Sequence, residues 1–179
     1  MPARAVAEVR TVRILGIDPG TLRLGYGVID RAGPTRMTYV ECGVISAPAS
    51  SARHQRLAVI GRGLRELVEE IRPDVVAMEE AFYGKSVAAT LALGEARGVA
   101  LFVAADRGLE IAGYAPARVK STVVGSGRAS KEQVAFLVRA LLSMRRTPDL
   151  DASDALAVAI CHARHGSQAL LGGPRSARP

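Results

Sequence analysis

Four acidic residues stand at positions from which their side chains could share divalent cations. Asp18 and Glu79 each end an apolar run, and Asp151 and Asp154 open an apolar segment, three positions apart and therefore on one face of a helix. Clustered carboxylates repel unless cations neutralise them, and their hard oxygen atoms suit Mg²⁺ or Mn²⁺. Two such ions about 3.5–4 Å apart can clamp the attacking and leaving oxygens of a phosphodiester. If the four acids converge, the sequence predicts metal-dependent cleavage of nucleic acid.

Taken singly, each acid has a simpler structural explanation. Asp18 precedes Pro19-Gly20 and suits a turn, and Glu79 could be a solvated residue after a strand. Asp151 and Asp154 resemble a helix N-cap with an acid three positions on, which favours the helix dipole. Only the occurrence of all four in one chain favours a shared site.

Composition narrows the class of protein. The 179 residues carry 24 Lys and Arg against 17 Asp and Glu, a net charge of +7 that suits a nucleic acid as partner. Two cysteines are too few for a disulfide framework or a four-thiolate zinc site. Aromatic residues make up 4%, which disfavours an aromatic carbohydrate cleft. The composition and the four acids together therefore predict a basic protein with an acidic pocket.

The elements that would position these acids follow from apolar periodicity. Three strands with short connections predict an antiparallel meander, and an amphipathic helix leads to a fourth, fully apolar strand. We predict an α/β fold with a five-stranded mixed sheet flanked by helices, the first and fourth strands adjacent and the last helix packed over them. Strands are predicted at 12–18, 22–30, 37–45, 74–79 and 109–114, and helices at 54–71, 86–105, 130–143 and 151–165.

The chain divides into one domain and two short ends. Residues 1–11 are predicted to form a flexible basic arm, 12–165 a single domain and 166–179 a flexible tail. The first residues lack the apolar stretch of an export signal, so a cytoplasmic location is expected. The apolar segment 86–105 carries Glu95 and Arg97 near its middle, and we therefore expect a buried helix and no membrane span.

Five ordered motifs resemble those of the bacterial Holliday-junction resolvases, over nearly all of residues 12–165. The motifs are GIDPGTLRLGYGVI (16–29), AMEEAFYGKS (77–86), LALGEARGVAL (91–101), VKSTVVGSGRASKEQV (119–134) and DASDALAVAICH (151–162). The resemblance implies a ribonuclease-H-like fold, a homodimer joined near the 86–105 helix, and nicking of four-way DNA junctions with two Mg²⁺ ions, Mn²⁺ being an alternative. It also implies cooperation with the branch-migration proteins RuvA and RuvB.

The resemblance also assigns roles to individual residues. The catalytic and metal-binding acids would be Asp18, Glu79, Asp151 and Asp154. Lys120 and Lys131 match lysines that touch DNA, and they flank a glycine-rich loop where Arg128 is a further candidate phosphate contact. Phe82 matches an aromatic residue that stacks on a base, with Tyr83 and Lys85 beside it. Ser86 stands where relatives usually have Asn, which leaves the details of base contact open.

Two other functions compete with this interpretation. Asp18-Pro19-Gly20-Thr21 also resembles the first phosphate loop of actin-like and sugar-kinase-like proteins, but these need two domains and a second such loop. A junction-binding protein without activity is the other alternative, and the presence of all four acids argues against it.

Overall fold

The computed structural model describes residues 10–80 and 86–170. The strands are β1 (Thr11–Asp18), β2 (Arg23–Ala32), β3 (Arg36–Ser46), β4 (Val75–Glu79) and β5 (Glu110–Tyr114). The helices are α1 (Arg53–Ile71), α2 (Val87–Asp106), α3 (Pro116–Val124), α4 (Lys131–Leu141) and α5 (Leu150–Leu170). Most of the predicted arm and tail lies outside the described residues, and α5 continues past the boundary predicted at 165.

The five strands form one mixed sheet in the order β3-β2-β1-β4-β5. The β1–β2 and β2–β3 pairs are antiparallel, which confirms the predicted meander, and the β1–β4 and β4–β5 pairs are parallel. Parallel neighbours need long crossover connections, and α1 and α2 supply them. The predicted adjacency of the first and fourth strands is confirmed.

Helices cover both faces of the sheet, because successive strand side chains point to opposite faces. Ile14 and Ala77 pack in a core with α3, α4 and α5, whereas their neighbours Leu15 and Met78 pack in a second core with α1 and α2. Burial on both faces explains why β1 and β4 read as continuous apolar runs in the sequence.

Three glycines let α5 lie directly on β1 and β2. A Cβ atom on Gly16 would stand 2.0 Å from the carbonyl oxygen of Ala155, and one on Gly27 would stand 2.5 Å from Cγ of Leu156. A Cβ atom on Gly25 would stand 2.1 Å from the carbonyl oxygen of Asp151. Side chains at these positions would push the helix outward, so the glycines set the height of α5 above the sheet.

The helix α3 is not among the predicted elements; in this region the sequence predicts only a glycine-rich loop at 124–127, where the helix ends. Two sequence signals mark its ends: Pro116 occupies its first position, and Gly125 follows its last with a positive φ of 79°. The next helix, α4, begins with a capping box in which Ser130 and Gln133 exchange side-chain-to-backbone hydrogen bonds. This cap places Lys131 in the first turn of α4, where the sequence predicted a helix start.

The helix α2 is less buried in one chain than the sequence predicted. Its buried residues are alanines and one valine on a single face, whereas Leu91 and Phe102 are largely exposed. Among the described helices it alone is long and apolar enough to cross a membrane by length and composition, and 22% of that window is buried. The prediction of a buried helix is therefore wrong for the isolated chain. The apolar composition of α2 indicates that its surface must be buried, but it does not indicate whether the same chain or another molecule buries it.

Candidate active site

Asp18 and Glu79 lie side by side at the carboxyl ends of two adjacent parallel strands. Ile17 of β1 pairs with Met78 of β4, so Asp18 and Glu79, the last residues of these strands, lie at the same end of the sheet. Both acids are partly buried. The carboxyl edge of a parallel pair is the usual place for a ligand cleft in α/β proteins.

The first turn of α5 brings two further acids, Asp151 and Asp154, to this end of the sheet. Asp149 caps the helix: its Oδ1 accepts a hydrogen bond from the backbone N–H of Asp151 at 3.2 Å. The close contact with Gly25 holds this turn against β2, and Gly25 is the register partner of Asp18 on β1. Asp154 then lines one cavity of about 240 Å³ together with Asp18 and Glu79.

The electrostatics confirm that the acids are close neighbours. Burial, followed by the charge of Asp154, raises the pKa of Asp18 to about 7; Lys131 lowers this pKa, and Glu79 and Asp151 make smaller contributions that raise it. Burial and the charge of Asp154 also raise the pKa of Glu79, while Lys131 and Lys120 lower it. A raised carboxyl pKa in a cleft is typical of a functional site.

Two basic side chains partly neutralise the acids. Lys131 Nζ lies 2.5 Å from Asp154 Oδ2, and this hydrogen bond raises the pKa of the lysine. Arg23 Nε donates to Asp151 Oδ2 at 2.6 Å, and its Nη2 donates to Asp149 Oδ2 at 2.8 Å. No role for Arg23 is predicted from the sequence, because its contact with Asp151 depends on how closely α5 approaches β2.

The residues fit a divalent metal by donor chemistry. Carboxylate oxygens are the ligands that Mg²⁺ and Mn²⁺ prefer, and burial together with the charge of Asp154 raises the pKa of Asp18. Within the described ranges no three Asp, Glu, His or Cys side chains are arranged to hold one ion as they stand. The predicted convergence is thus present in the backbone, with Asp151 and Asp154 turned to basic partners.

The predicted DNA contacts are described only in part. Lys120 and Lys131 line the cavity with the acids, and Arg128 is exposed in the connection between α3 and α4. Phe82, Tyr83 and Lys85 lie outside the described residues, so their roles stay predictions.

A second cavity of about 210 Å³ adjoins the acids on the side of α2. Arg97 lines it and donates from Nε to the backbone carbonyl of Glu79 at 3.4 Å, a long contact that links α2 to the end of β4. From the sequence, Arg97 argues only against a membrane span; its position near Glu79 depends on the packing of α2 against the end of β4.

The sheet order, the crossover helices and the helix α5 laid over β1 and β2, where the sequence predicted it over the first and fourth strands, define a ribonuclease-H-like fold. A solved structure described as the yeast mitochondrial Holliday junction resolvase Ydc2 shares this fold with a TM-score of 0.66, at 15% identity, over 90% of this chain and 81% of that one.

Comparison with known sequences identifies the family. The family described as crossover junction endodeoxyribonuclease RuvC matches residues 14–162. Proteins of that description from Halorhodospira halophila and Azorhizobium caulinodans are 48% and 47% identical, over 93% and 89% of this chain and 98% and 94% of their own lengths. The chain belongs to the RuvC family of crossover junction endodeoxyribonucleases, and it is therefore a nuclease of the class that the resemblance implied.

A solved structure supports the same assignment. The chain is similar to a structure described as T. thermophilus RuvC in complex with Holliday junction substrate, with a TM-score of 0.82 and 31% identity. The match covers 88% of this chain and 96% of that one. The family favours a nuclease over the actin-like or kinase-like alternative raised by Asp18-Pro19-Gly20-Thr21.

Proposed function

We propose that this protein nicks four-way DNA junctions in a pair of symmetric cuts, using two divalent cations held by Asp18, Glu79, Asp151 and Asp154. The observation that carries the proposal is the cavity in which three of these acids meet two lysines, in a fold similar to that of a resolvase bound to a junction. Mg²⁺ is the expected metal, and Mn²⁺ is an alternative.

The acids and lysines divide the chemistry between them. When bound, divalent ions would activate the attacking water and neutralise the charge on the leaving oxygen. Asp18 must give up its proton to act as a ligand, because burial and Asp154 raise its pKa to about 7. Lys131 exchanges Asp154 for a DNA phosphate, and Lys120 approaches the phosphate from the same cavity wall.

The basic surface supports DNA as the substrate. The net charge of +7 and the position of Lys120 and Lys131 in the cavity, with Arg128 exposed between α3 and α4, favour a polyanion. We assign base contacts at the crossover to Phe82, Tyr83 and Lys85, where stacking of one base contributes about 1–3 kcal/mol.

A homodimer explains both the exposed face of α2 and the paired cuts. A cavity of about 570 Å³ runs between α1 and α2, lined by apolar residues that include Leu57, Val99 and Phe102. A second copy covering this face would bury side chains that one chain leaves in water. Two active sites related by a two-fold axis match the two-fold symmetry of a junction.

We also propose that the protein works in the cytoplasm with the branch-migration proteins RuvA and RuvB. The support is membership of the RuvC family, whose matched relatives are bacterial proteins described as DNA endonucleases. Copurification of the tagged protein with RuvA and RuvB on a junction tests this part separately.

The test of substrate and metal is cleavage of a synthetic mobile four-way junction beside a linear duplex of the same sequence. We expect symmetric nicks in the junction with Mg²⁺ or Mn²⁺, none in EDTA and little cleavage of the duplex. Equal cleavage of both substrates would contradict structure selectivity. Junction binding with no cleavage in either metal would favour the junction-binding alternative.

A further inference from the structure

Arg23 connects two acids at the start of α5. Its Nε donates to Asp151 Oδ2 at 2.6 Å and its Nη2 to Asp149 Oδ2 at 2.8 Å. The guanidinium carries several donors in a fixed planar fork, so one side chain can hold two carboxylates in a set relation. We refer to Arg23, Asp149 and Asp151 together as the Arg23 bridge.

The bridge is anchored to the backbone at both ends. Asp149 uses its other oxygen, Oδ1, to accept from the N–H of Asp151, and its carbonyl accepts from Ser153 N–H at 2.8 Å. On the β2 side, Gly25 lies against the carbonyl of Asp151, two residues along the same strand face as Arg23. Arg23 and Gly25 therefore both contact Asp151: Arg23 binds its carboxylate, and Gly25 lies against its backbone.

Asp151 lacks the other supports that hold its partner acids. Asp18 and Glu79 are partly buried at strand ends, and Asp154 pairs with Lys131 and lines the cavity with them. In the described part of the chain, the side chain of Asp151 has its ion pair with Arg23 and is 30% exposed. Without Arg23 this carboxylate would be free to rotate into solvent.

We propose that Arg23 is a positioning residue that fixes the carboxylate of Asp151 for metal binding, with Asp149 fixing the guanidinium in turn. The inference rests on the proposed metal site. Arg23 engages one oxygen of Asp151, Oδ2, and its hydrogen bonds leave Oδ1 untouched. Residues that orient metal ligands in this way typically change metal affinity by about 10-fold when removed.

Positioning and simple charge make opposite predictions for one variant. Arg23→Ala removes a positive charge beside the acids, so Coulomb attraction alone would tighten the binding of a cation. Asp149→Asn removes a negative charge but keeps a side-chain oxygen that can cap α5. If Arg23 acts by positioning, both variants weaken metal binding, although they change the local charge in opposite directions.

The experiment measures Mn²⁺ binding to the purified full chain at pH 8, from the loss of the EPR signal of the free ion. We expect Arg23→Ala, Arg23→Lys and Asp149→Asn to weaken binding by about 10-fold and to raise the half-saturating Mg²⁺ for nicking by a similar factor, with the rate at saturating Mg²⁺ largely kept. Arg107→Ala, which breaks the pair with Glu69 away from the site, should bind Mn²⁺ as the wild type does. Arg23→Lys keeps the positive charge, so it replaces Arg23→Ala in the Mn²⁺-binding test if Arg23→Ala folds poorly.

A double variant tests whether Arg23 acts through Asp151. Adding Arg23→Ala to Asp151→Asn should produce no further loss of Mn²⁺ affinity. Tighter binding by Arg23→Ala, or unchanged Mn²⁺ binding with weakened junction binding, would overturn the role and make Arg23 a competing charge or a phosphate contact. If the wild type binds Mn²⁺, Asp18→Asn does not, and Arg23→Ala matches the wild type, the role of Arg23 fails and the metal site stands. Absence of Mn²⁺ binding by the wild type overturns both.

Discussion

Gly25 of β2 and Asp151 of α5 are in such close contact that a Cβ atom on the glycine would stand 2.1 Å from the carbonyl oxygen of the aspartate. The same glycine faces Asp18 across the β1–β2 ladder. A single backbone approach thus places the first turn of α5 beside the strand that carries the central acid. The active-site geometry depends on it.

Gly25→Ala should separate the first turn of α5 from the sheet. The new methyl group meets backbone, which cannot move aside as a side chain can, so we expect a loss of about 1–3 kcal/mol in the free energy of unfolding. Displacement of Asp151 and Asp154 should reduce junction nicking by about 100-fold. Thermal denaturation and nicking rates measure the two effects.

The matched control for stability is Gly127→Ala, whose added Cβ would meet its nearest neighbour, the carbonyl oxygen of Ala117, at an ordinary 3.4 Å. We expect its melting temperature to stay near that of the wild type. Equal melting temperatures and nicking rates for Gly25→Ala and the wild type would show that α5 does not depend on this contact.

Lys131 stabilises the metal-free site, because it contacts Asp154 and lowers the pKa of Asp18 and Glu79. Lys131→Met should lower the free energy of unfolding in EDTA by about 1 kcal/mol, since the pair is partly exposed. The loss should shrink in saturating Mg²⁺, where metal replaces the lysine as countercharge. Lys120, which forms no ion pair among the described residues, provides the control Lys120→Met; a larger loss there, or a loss insensitive to Mg²⁺, would contradict this role.

The raised pKa of Asp18 makes a pH-dependent prediction with a definite sign. The folded protein keeps this proton up to about pH 7, whereas the unfolded chain loses it near the ordinary value of 3.8. Ionisation of Asp18 therefore lowers the free energy of unfolding progressively as the pH rises between these two values, and the loss is complete above pH 7. Asp18→Asn in EDTA should therefore melt at a higher temperature than the wild type at pH 8, by a margin that narrows toward pH 4.

Asp149 offers the opposite case for comparison. Its hydrogen bond with Arg23 lowers its pKa, so its contribution to stability is present above pH 3.8 and is lost as the pH falls below that value. Asp149→Asn should melt below the wild type at pH 8. Melting curves in which both variants shift in the same direction at pH 8 would contradict the electrostatic description of the site.

The exposed face of α2 predicts a self-association that one substitution can break. Phe102, 61% exposed beside the groove between α1 and α2, should become buried in a dimer, and Phe102→Asp should convert the protein to a species with the 18.8 kDa mass of one chain. Phe136→Asp alters an equally exposed phenylalanine on α4 and should leave the dimer intact. Light scattering after gel filtration measures both; a wild-type monomer at micromolar concentration would contradict the proposal.

The sequence predicted the sheet and its acids because their signals are local. Continuous apolar runs mark β1 and β4, and each ends at an acid that the parallel pairing brings to one edge. The helix α3 was not predicted, although Pro116 and Gly125 mark its ends. It has only nine residues, and the glycines that follow it, with a lysine on either side, indicate a phosphate-binding loop more strongly than a helix.

Other features depend on contacts that no local pattern encodes. Arg23 and Asp151 are 128 positions apart, and their ion pair follows from the height of α5 above β2. The sequence indicated that the apolar surface of α2 must be buried, but periodicity cannot distinguish burial against the same chain from burial against a second one. Asp151 and Asp154 pair with Arg23 and Lys131 because the fold brings the acids close to each other and to these basic side chains.

The most direct test of the central claim compares the wild type with Asp18→Asn on one labelled four-way junction, measuring both binding and cleavage in Mg²⁺. Asn keeps the size of the side chain and removes the charge that we propose ligates metal. We predict tight binding by both proteins, paired symmetric nicks by the wild type and none by Asp18→Asn. Cleavage by Asp18→Asn at the wild-type rate would contradict the assignment of the acidic cavity as the catalytic site.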